Sequence, residues 1–182
     1  MKVIIFDLFG TTVCIPKITL KISEENKDSL IRGQNCEISP EITDFFKYQV
    51  ENARLYEEVP LIESLLAEPD YLCFCMSNLS QEFTKCFRQL HLDRWQHPIF
   101  SCDLGLKKPE ESIYTLALEK IKSLLGIEPH EVYMVGDSFV NDYQKPREMG
   151  MKSYWLNRNG KKTAINPDHE VSNLLEFYAK IR

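Results

Sequence analysis

The sequence predicts an α/β fold built on a central parallel sheet flanked by helices, and three observations carry that prediction. Four short apolar runs, at 3–6, 72–76, 132–135 and 153–156, have the length and near-continuous hydrophobicity of strands buried on both faces. Helical patterns separate most of them, as the crossovers of a parallel sheet require. A chain of 182 residues, 43% hydrophobic and 27% charged, can bury one core with room for a modest insertion.

The first run, Val3-Ile4-Ile5-Phe6, ends in Asp7 and a Gly10-Thr11 turn. An insertion is expected over 13–58, leaving 1–12 and 59–182 as the core. Within the insertion Ser39-Pro40-Glu41 opens a helix, because serine suits the cap and proline the first turn. Ile42, Phe45, Phe46, Gln49, Val50 and Ala53 form its stripe. Residues 16–38 admit two readings: Ile18, Leu20 and Ile22 alternate like a strand, whereas 24–32 reads as a polar helix or loop. The second run places Cys73 and Cys75 on one strand face as small buried apolar residues, and a helix over about 79–90 follows. The clearest helix opens at Lys108-Pro109-Glu110-Glu111, with two acids at the positive end of its dipole. Ile113, Leu116, Ala117, Ile121, Leu124 and Leu125 share one face, and Gly126 closes it. A helix over about 141–149 ends at Gly150, and a last one over about 171–180 carries Val171, Leu174, Leu175, Tyr178 and Ile181.

Composition removes several function classes. The net charge of −5 offers no basic stripe to meet a phosphate backbone, so nucleic-acid binding is not expected. Apolar runs fall far short of the roughly 20 residues that a membrane span needs. The first apolar run is also too short for the core of a signal peptide, and a cytoplasmic protein is expected. The six cysteines include no CxxC pair and no histidine at metal spacing, which argues against a zinc site or a disulfide scaffold.

Ligands of open parallel sheets bind beyond the carboxyl ends of the strands, where this chain carries Asp7, Ser77-Asn78 and Asp137. Singly, each has a plain structural explanation. Asp7 reads as a turn residue, Asn78 with Gln81 as a loose capping box, Lys108 as a solvated lysine, and Asp142 as a first-turn acid. Together they suit one anionic site, to which Lys107-Lys108-Pro109 adds a cation and free backbone N–H groups.

These residues resemble the motifs of the haloacid dehalogenase (HAD) superfamily of aspartate-nucleophile hydrolases. Asp7-Leu-Phe-Gly-Thr11 is similar to its first motif, Ser77-Asn78 to its second, and Lys108-Pro109 to its third. Gly136-Asp137-Ser138-Phe-Val-Asn141-Asp142 is similar to its fourth. The resemblance implies a Rossmann-like core, with 13–58 as a small, mainly helical cap. It implies Asp7 as nucleophile, Lys108 as a second catalytic residue, and Thr11, Ser77 and Asn78 as groups binding a small phosphorylated substrate. It also implies Mg2+ held by Asp7, the Phe9 carbonyl and Asp137, with Asp142 in support, a hard-oxygen set that such a cation prefers. The cap cations Lys21, Arg32 and Arg54 read as solvated surface, and oligomeric state is not legible.

Phe9 departs from the pattern. Phosphatases of the family carry a second aspartate there, which protonates the leaving alkoxide and then activates water. General acid–base catalysis of that kind contributes about 100- to 10,000-fold. An aromatic residue at this place resembles the dehalogenase branch instead, whose halide leaves without a proton, yet that branch lacks the intact Gly136-Asp137. Magnesium-dependent phosphoryl chemistry is therefore the expectation. A 2-haloacid dehalogenase and a catalytically weakened scaffold that binds a phosphorylated ligand or a protein are the alternatives.

Overall fold

Strand β1 (Lys2–Phe6) lies in the middle of a six-stranded sheet in which every described pairing is parallel. The computed structural model describes residues 1–182 except 19, 93, 94, 96, 127–130 and 162–166. The remaining strands of the sheet are β4 (Tyr71–Ser77), β5 (Ile99–Phe100), β6 (Val132–Gly136), β7 (Lys152–Leu156) and β8 (Glu170–Val171). Their order is β5-β4-β1-β6-β7-β8. Because β1 is flanked by β4 on one side and β6 on the other, the chain reverses its direction of travel at β1. That switch point is where an open α/β sheet binds ligands. The four apolar runs of the sequence are all strands, and the short edge strands β5 and β8 add to them.

Side chains alternate across each strand, so the sheet buries two apolar clusters. Ile4, Phe6, Cys73 and Cys75 face Val59 and Ile62 of helix α3 (Val59–Leu65) and Leu174, Phe177 and Ile181 of α8 (Leu174–Ile181). Val3, Ile5, Phe74, Met76, Val132 and Met134 face Ile113, Ala117 and Ile121 of α6 (Glu111–Leu125). Each fully buried isoleucine contributes about 1.5 to 3 kcal/mol relative to exposure. The shared face expected for Cys73 and Cys75 is present, and all six cysteines are free thiols.

Several boundaries differ from the sequence expectation for identifiable reasons. α6 begins at Glu111 rather than at Lys108, because the Lys108 backbone is held by a neighbouring loop instead of winding into the helix. The helix expected over 79–90 is a 3-10 turn (Gln81–Phe83) leading into α4 (Thr84–Gln89). The one expected over 141–149 starts as a π-helical turn (Phe139–Gln144) and becomes α7 (Lys145–Glu148). Pro146 cannot donate to the carbonyl four residues back, which fits the wide turn before it. Val171 joins β8, and α8 starts after Asn173, which accepts the Glu176 N–H at 2.9 Å.

Residues 13–58 form a looped excursion whose two ends are stapled together. Strand β2 (Val13–Cys14) pairs antiparallel with β3 (Arg54–Leu55), and the Tyr56 N–H donates to the Thr12 carbonyl at 3.1 Å. Between them lie α1 (Glu24–Ile31) and the expected α2 (Pro40–Glu51), which Ser39 caps by accepting the Ile42 N–H. The two readings of the earlier stretch resolve in favour of the helix: described residues among 16–22 form no strand. α1 is tied to the core by ion pairs of Arg32 with Glu110 and of Asp28 with Lys107, and Arg32 and Asp28 also pair with each other at 2.9 Å. Arg32, expected on the solvated surface, is thus a docking residue, while Lys21 and Arg54 are exposed as expected. No helix among the described residues is long and apolar enough to cross a membrane.

Candidate active site

Asp7 leaves β1 with its N–H donating to the Val135 carbonyl at 3.0 Å, so β6 sets its height above the sheet. The chain then turns tightly: the Thr12 and Val13 N–H groups both donate to the Leu8 carbonyl at 2.9 Å. Gly10 makes this turn possible with φ +81° and with no side chain, since a Cβ there would collide with the Asp137 carboxylate. Gly136 has a matching function, because a Cβ on it would collide with Asp142.

Lys108 is the hinge of the site. Its ammonium, only 3% exposed as a residue, donates to Asp7 Oδ1 at 2.8 Å, Asp142 Oδ1 at 2.6 Å and the Met76 carbonyl at 3.0 Å. Burial alone disfavours the charged form, but Asp142 and Asp7 outweigh it and hold Lys108 above the usual lysine range. Burial likewise pushes Asp142 up, opposed by the Lys108 ammonium. Lys108, placed at the site by the sequence, is therefore a buried counterion to two carboxylates.

Ser77, at the end of β4, donates its hydroxyl to Asp7 Oδ1 at 2.9 Å, and Thr11 reaches Asp7 Oδ2 at 3.4 Å. Asn78 does something the sequence did not suggest. Its side chain donates to the Lys108 carbonyl and accepts the Lys108 N–H, both at 2.8 Å, clamping the lysine's backbone from both sides. Gln81, its expected capping partner, bonds Asp103 at 2.8 Å instead. Arg158 was also not singled out by the sequence. It donates to the Gly10 and Thr11 carbonyls at 3.1 and 2.7 Å, pairs with Glu58 at 2.6 Å, and lies 3.8 Å from the Tyr56 ring centre. This arginine ties the Asp7 turn to the end of the insertion. Its only sequence signal is its place just beyond a strand end.

Asp7, Asp137 and Asp142 each offer an oxygen within 4.8 Å of the others. Asp7 and Asp142 are buried, whereas Asp137 is exposed and is anchored through its carbonyl, which accepts the Trp155 indole N–H at 2.9 Å. Desolvation and the Asp7 charge push Asp137 up to about 6, although its exposed side lets solvent screen that shift. With all three ionised, one ammonium leaves a formal charge of −2. An all-oxygen set of that charge fits a small divalent cation. Both Asp142 oxygens are engaged, one by Lys108 and one by the Ser138 N–H at 3.0 Å, so it suits a supporting place, whereas among the described residues Asp7 Oδ2 meets only the long 3.4 Å contact from Thr11.

Phe9 turns its ring away from this polar cluster. It stacks edge-on against Phe83 at 5.0 Å between centroids, and Phe83 meets Phe46 of α2 at 5.1 Å. The sequence-predicted residues Asp7, Thr11, Ser77, Asn78, Lys108, Asp137 and Asp142 thus converge, and Phe9 contributes its backbone to the turn and its ring to an apolar wall.

The haloacid dehalogenase-like hydrolase family matches residues 23–150, a span that begins after the Asp7 turn and so does not depend on it. Haloacid dehalogenase-like hydrolase domain-containing protein 3 of Danio rerio is 34% identical over 87 residues, covering 46% of this chain and 34% of its own. N-acylneuraminate-9-phosphatase of Homo sapiens is 34% identical over 80 residues, covering 42% and 31%. The chain therefore matches about a third of the length of these relatives. Among solved structures, a HAD phosphatase from Thermococcus onnurineus aligns with TM-score 0.74 and 20% identity over 100% of this chain and 98% of its own. A 2-haloacid dehalogenase from Pseudomonas syringae pv. Tomato DC3000 aligns as well, with TM-score 0.73, 18% identity and the same coverages. The shared fold is thus common to both chemistries. From the sheet order, the convergent site and a family match over more than half its length, this chain belongs to the haloacid dehalogenase-like hydrolases.

Proposed function

We propose that the chain is a magnesium-dependent phosphatase or phosphotransferase acting on a small phosphorylated substrate through an aspartyl-phosphate at Asp7. The observation that carries this reading is the trio of carboxylates within 4.8 Å. Such a concentration of negative charge would repel the carboxylate of a haloacid, whereas a divalent cation converts it into a phosphate-binding site. Asp7 and Asp137 would hold the cation with the Phe9 carbonyl and Asp142 in support. When bound, it supplies positive charge that neutralises phosphoryl oxygens.

In this reading the Asp7 carboxylate is the nucleophile, and Ser77 and Thr11 orient it. Lys108, held by Asn78, balances its charge and that of the incoming phosphoryl group. Residues 13–58 serve as the cap. Phe9 places no proton donor beside the leaving group, so turnover depends on how good that group is. The dehalogenase reading is favoured by the same residue, since halide needs no proton.

Both are tested by assaying acetyl phosphate and 4-nitrophenyl phosphate with magnesium or with EDTA, in native protein and Asp7→Asn. Turnover that needs magnesium and disappears in Asp7→Asn is the expected result. Halide release from 2-chloropropionate in EDTA, or phosphate release that survives Asp7→Asn, would overturn the proposal.

A further inference from the structure

An apolar cavity of about 330 Å³ opens beside the site, lined by Phe9, Phe45, Phe46, Phe83 and by aliphatic residues of 18–31. Its other wall includes Asn78, so the cavity begins one residue beyond Ser77, which donates to Asp7, and two beyond Asp7 itself at Phe9. Ser80 also lines it. The Ser80 hydroxyl is buried, the residue being 4% exposed, and has no hydrogen-bond partner among the described residues. That oxygen lies beneath the cavity surface and is not open to it. Phe9 therefore does two things at one position. It carries no acid to protonate a leaving group, and its ring lines an aromatic cavity.

Both consequences select the same chemistry. An alkyl alcohol leaves poorly without a proton, whereas a phenol, with a pKa of about 10, leaves as its anion. A flat, uncharged ring also suits a cavity lined by edge-on phenyl groups. Building on the phosphoryl-transfer reading above, we propose that the chain acts on aryl phosphate monoesters, with the aryl group seated in the Phe9-Phe46-Phe83 cavity.

In the first step an Asp7 oxygen bonds to phosphorus while the bond from phosphorus to the aryl oxygen breaks. The electron pair leaves on the aryloxide, which takes a proton from solvent. Water then adds to the aspartyl-phosphate, the bond from phosphorus to Asp7 breaks, and phosphate departs with the carboxylate restored and the surplus proton in solvent. One aryl phosphate and one water yield one phenol and one phosphate.

The test compares kcat/KM, with magnesium, for 1-naphthyl phosphate, glycerol 2-phosphate and acetyl phosphate. Acetyl phosphate has a good leaving group and no ring, so it reports the chemistry apart from the cavity. Naphthyl phosphate is expected to exceed glycerol 2-phosphate by about 100-fold. Ile18 lines the cavity and is 49% exposed, so Ile18→Asp changes the wall without disturbing the core. That variant is expected to lower the naphthyl-to-acetyl ratio by about 10-fold. Acetyl phosphate turnover with naphthyl no better than glycerol 2-phosphate, or an unchanged ratio in Ile18→Asp, overturns the aryl assignment alone. Absence of magnesium-dependent turnover of all three overturns both it and the reading beneath it.

Discussion

Replacing Lys108 with methionine should unfold the site electrostatically before it does anything else. The ammonium sits 2.8 Å from Asp7 Oδ1 and 2.6 Å from Asp142 Oδ1, and Asp142 is fully buried. Methionine fills a comparable volume, so packing is nearly preserved and the charge is what changes. Removing one partner of a buried ion pair costs about 3 to 5 kcal/mol, because the other charge stays buried without compensation. The sign of the pH dependence follows. Burial already pushes Asp142 up and Lys108 opposes it, so without the lysine the folded-state value rises further above the unfolded one. A group raised in this way favours folding below its unfolded value and loses that contribution as pH rises through the folded value. Urea unfolding of Lys108→Met in EDTA should therefore show a deficit of about 3 to 5 kcal/mol at pH 7.5 that shrinks toward pH 5. A midpoint equal to the native one at pH 7.5, or a deficit that grows on acidification, would refute the counterion argument.

Three further outcomes are expected. Gly136→Ala should force Asp142 off Lys108 and cost about 1 to 3 kcal/mol in urea unfolding, as other overpacked cores do, together with loss of phosphate release. Gly33→Ala places a Cβ against the Cys102 carbonyl at φ +65°; the left-handed backbone alone costs about 1 to 2 kcal/mol. Hydrogen exchange should show that loss first in α1. Among the six thiols, Cys14 and Cys36 are half-buried, whereas Cys73, Cys75, Cys86 and Cys102 are buried, with Cys73 pushed up to about 12 and Cys86 and Cys102 to about 11 by desolvation. At pH 8, 5,5′-dithiobis-2-nitrobenzoate should react promptly with two thiols and with the other four only after denaturation.

The fold was legible where periodicity and burial agree. Each apolar run is a strand, and the α6 stripe of Ile113, Ala117 and Ile121 packs as its spacing indicates. Boundaries failed where a distant residue competes for a backbone group. Asn78 takes the Lys108 N–H and carbonyl, which delays α6, and Leu156 pairs with Val171, which shortens α8. The stretch before α1 carries a strand-like alternation, yet Ile18, Leu20 and Ile22 line a cavity instead of a sheet, since period-two patterning reports apolar positions and not their hydrogen-bond partners.

The sequence by itself determined four of the six strands of the sheet, the helices α2, α6 and α8, the polar groups Asp7, Ser77 and Asp137 at strand ends with Lys108 ahead of α6, and the absence of a second acid at Phe9. These are properties of local spacing and residue chemistry, which need no knowledge of what lies across the chain. Only the tertiary structure decided that Lys108 is buried between Asp7 and Asp142, that Asn78 clamps the Lys108 backbone, that Arg158 holds the site from outside the motifs, and that the Phe9 ring faces a cavity. Those depend on contacts between residues 30 to 148 positions apart. Such contacts arise from how the sheet twists and where the insertion docks, and hydropathy along a single chain does not encode them.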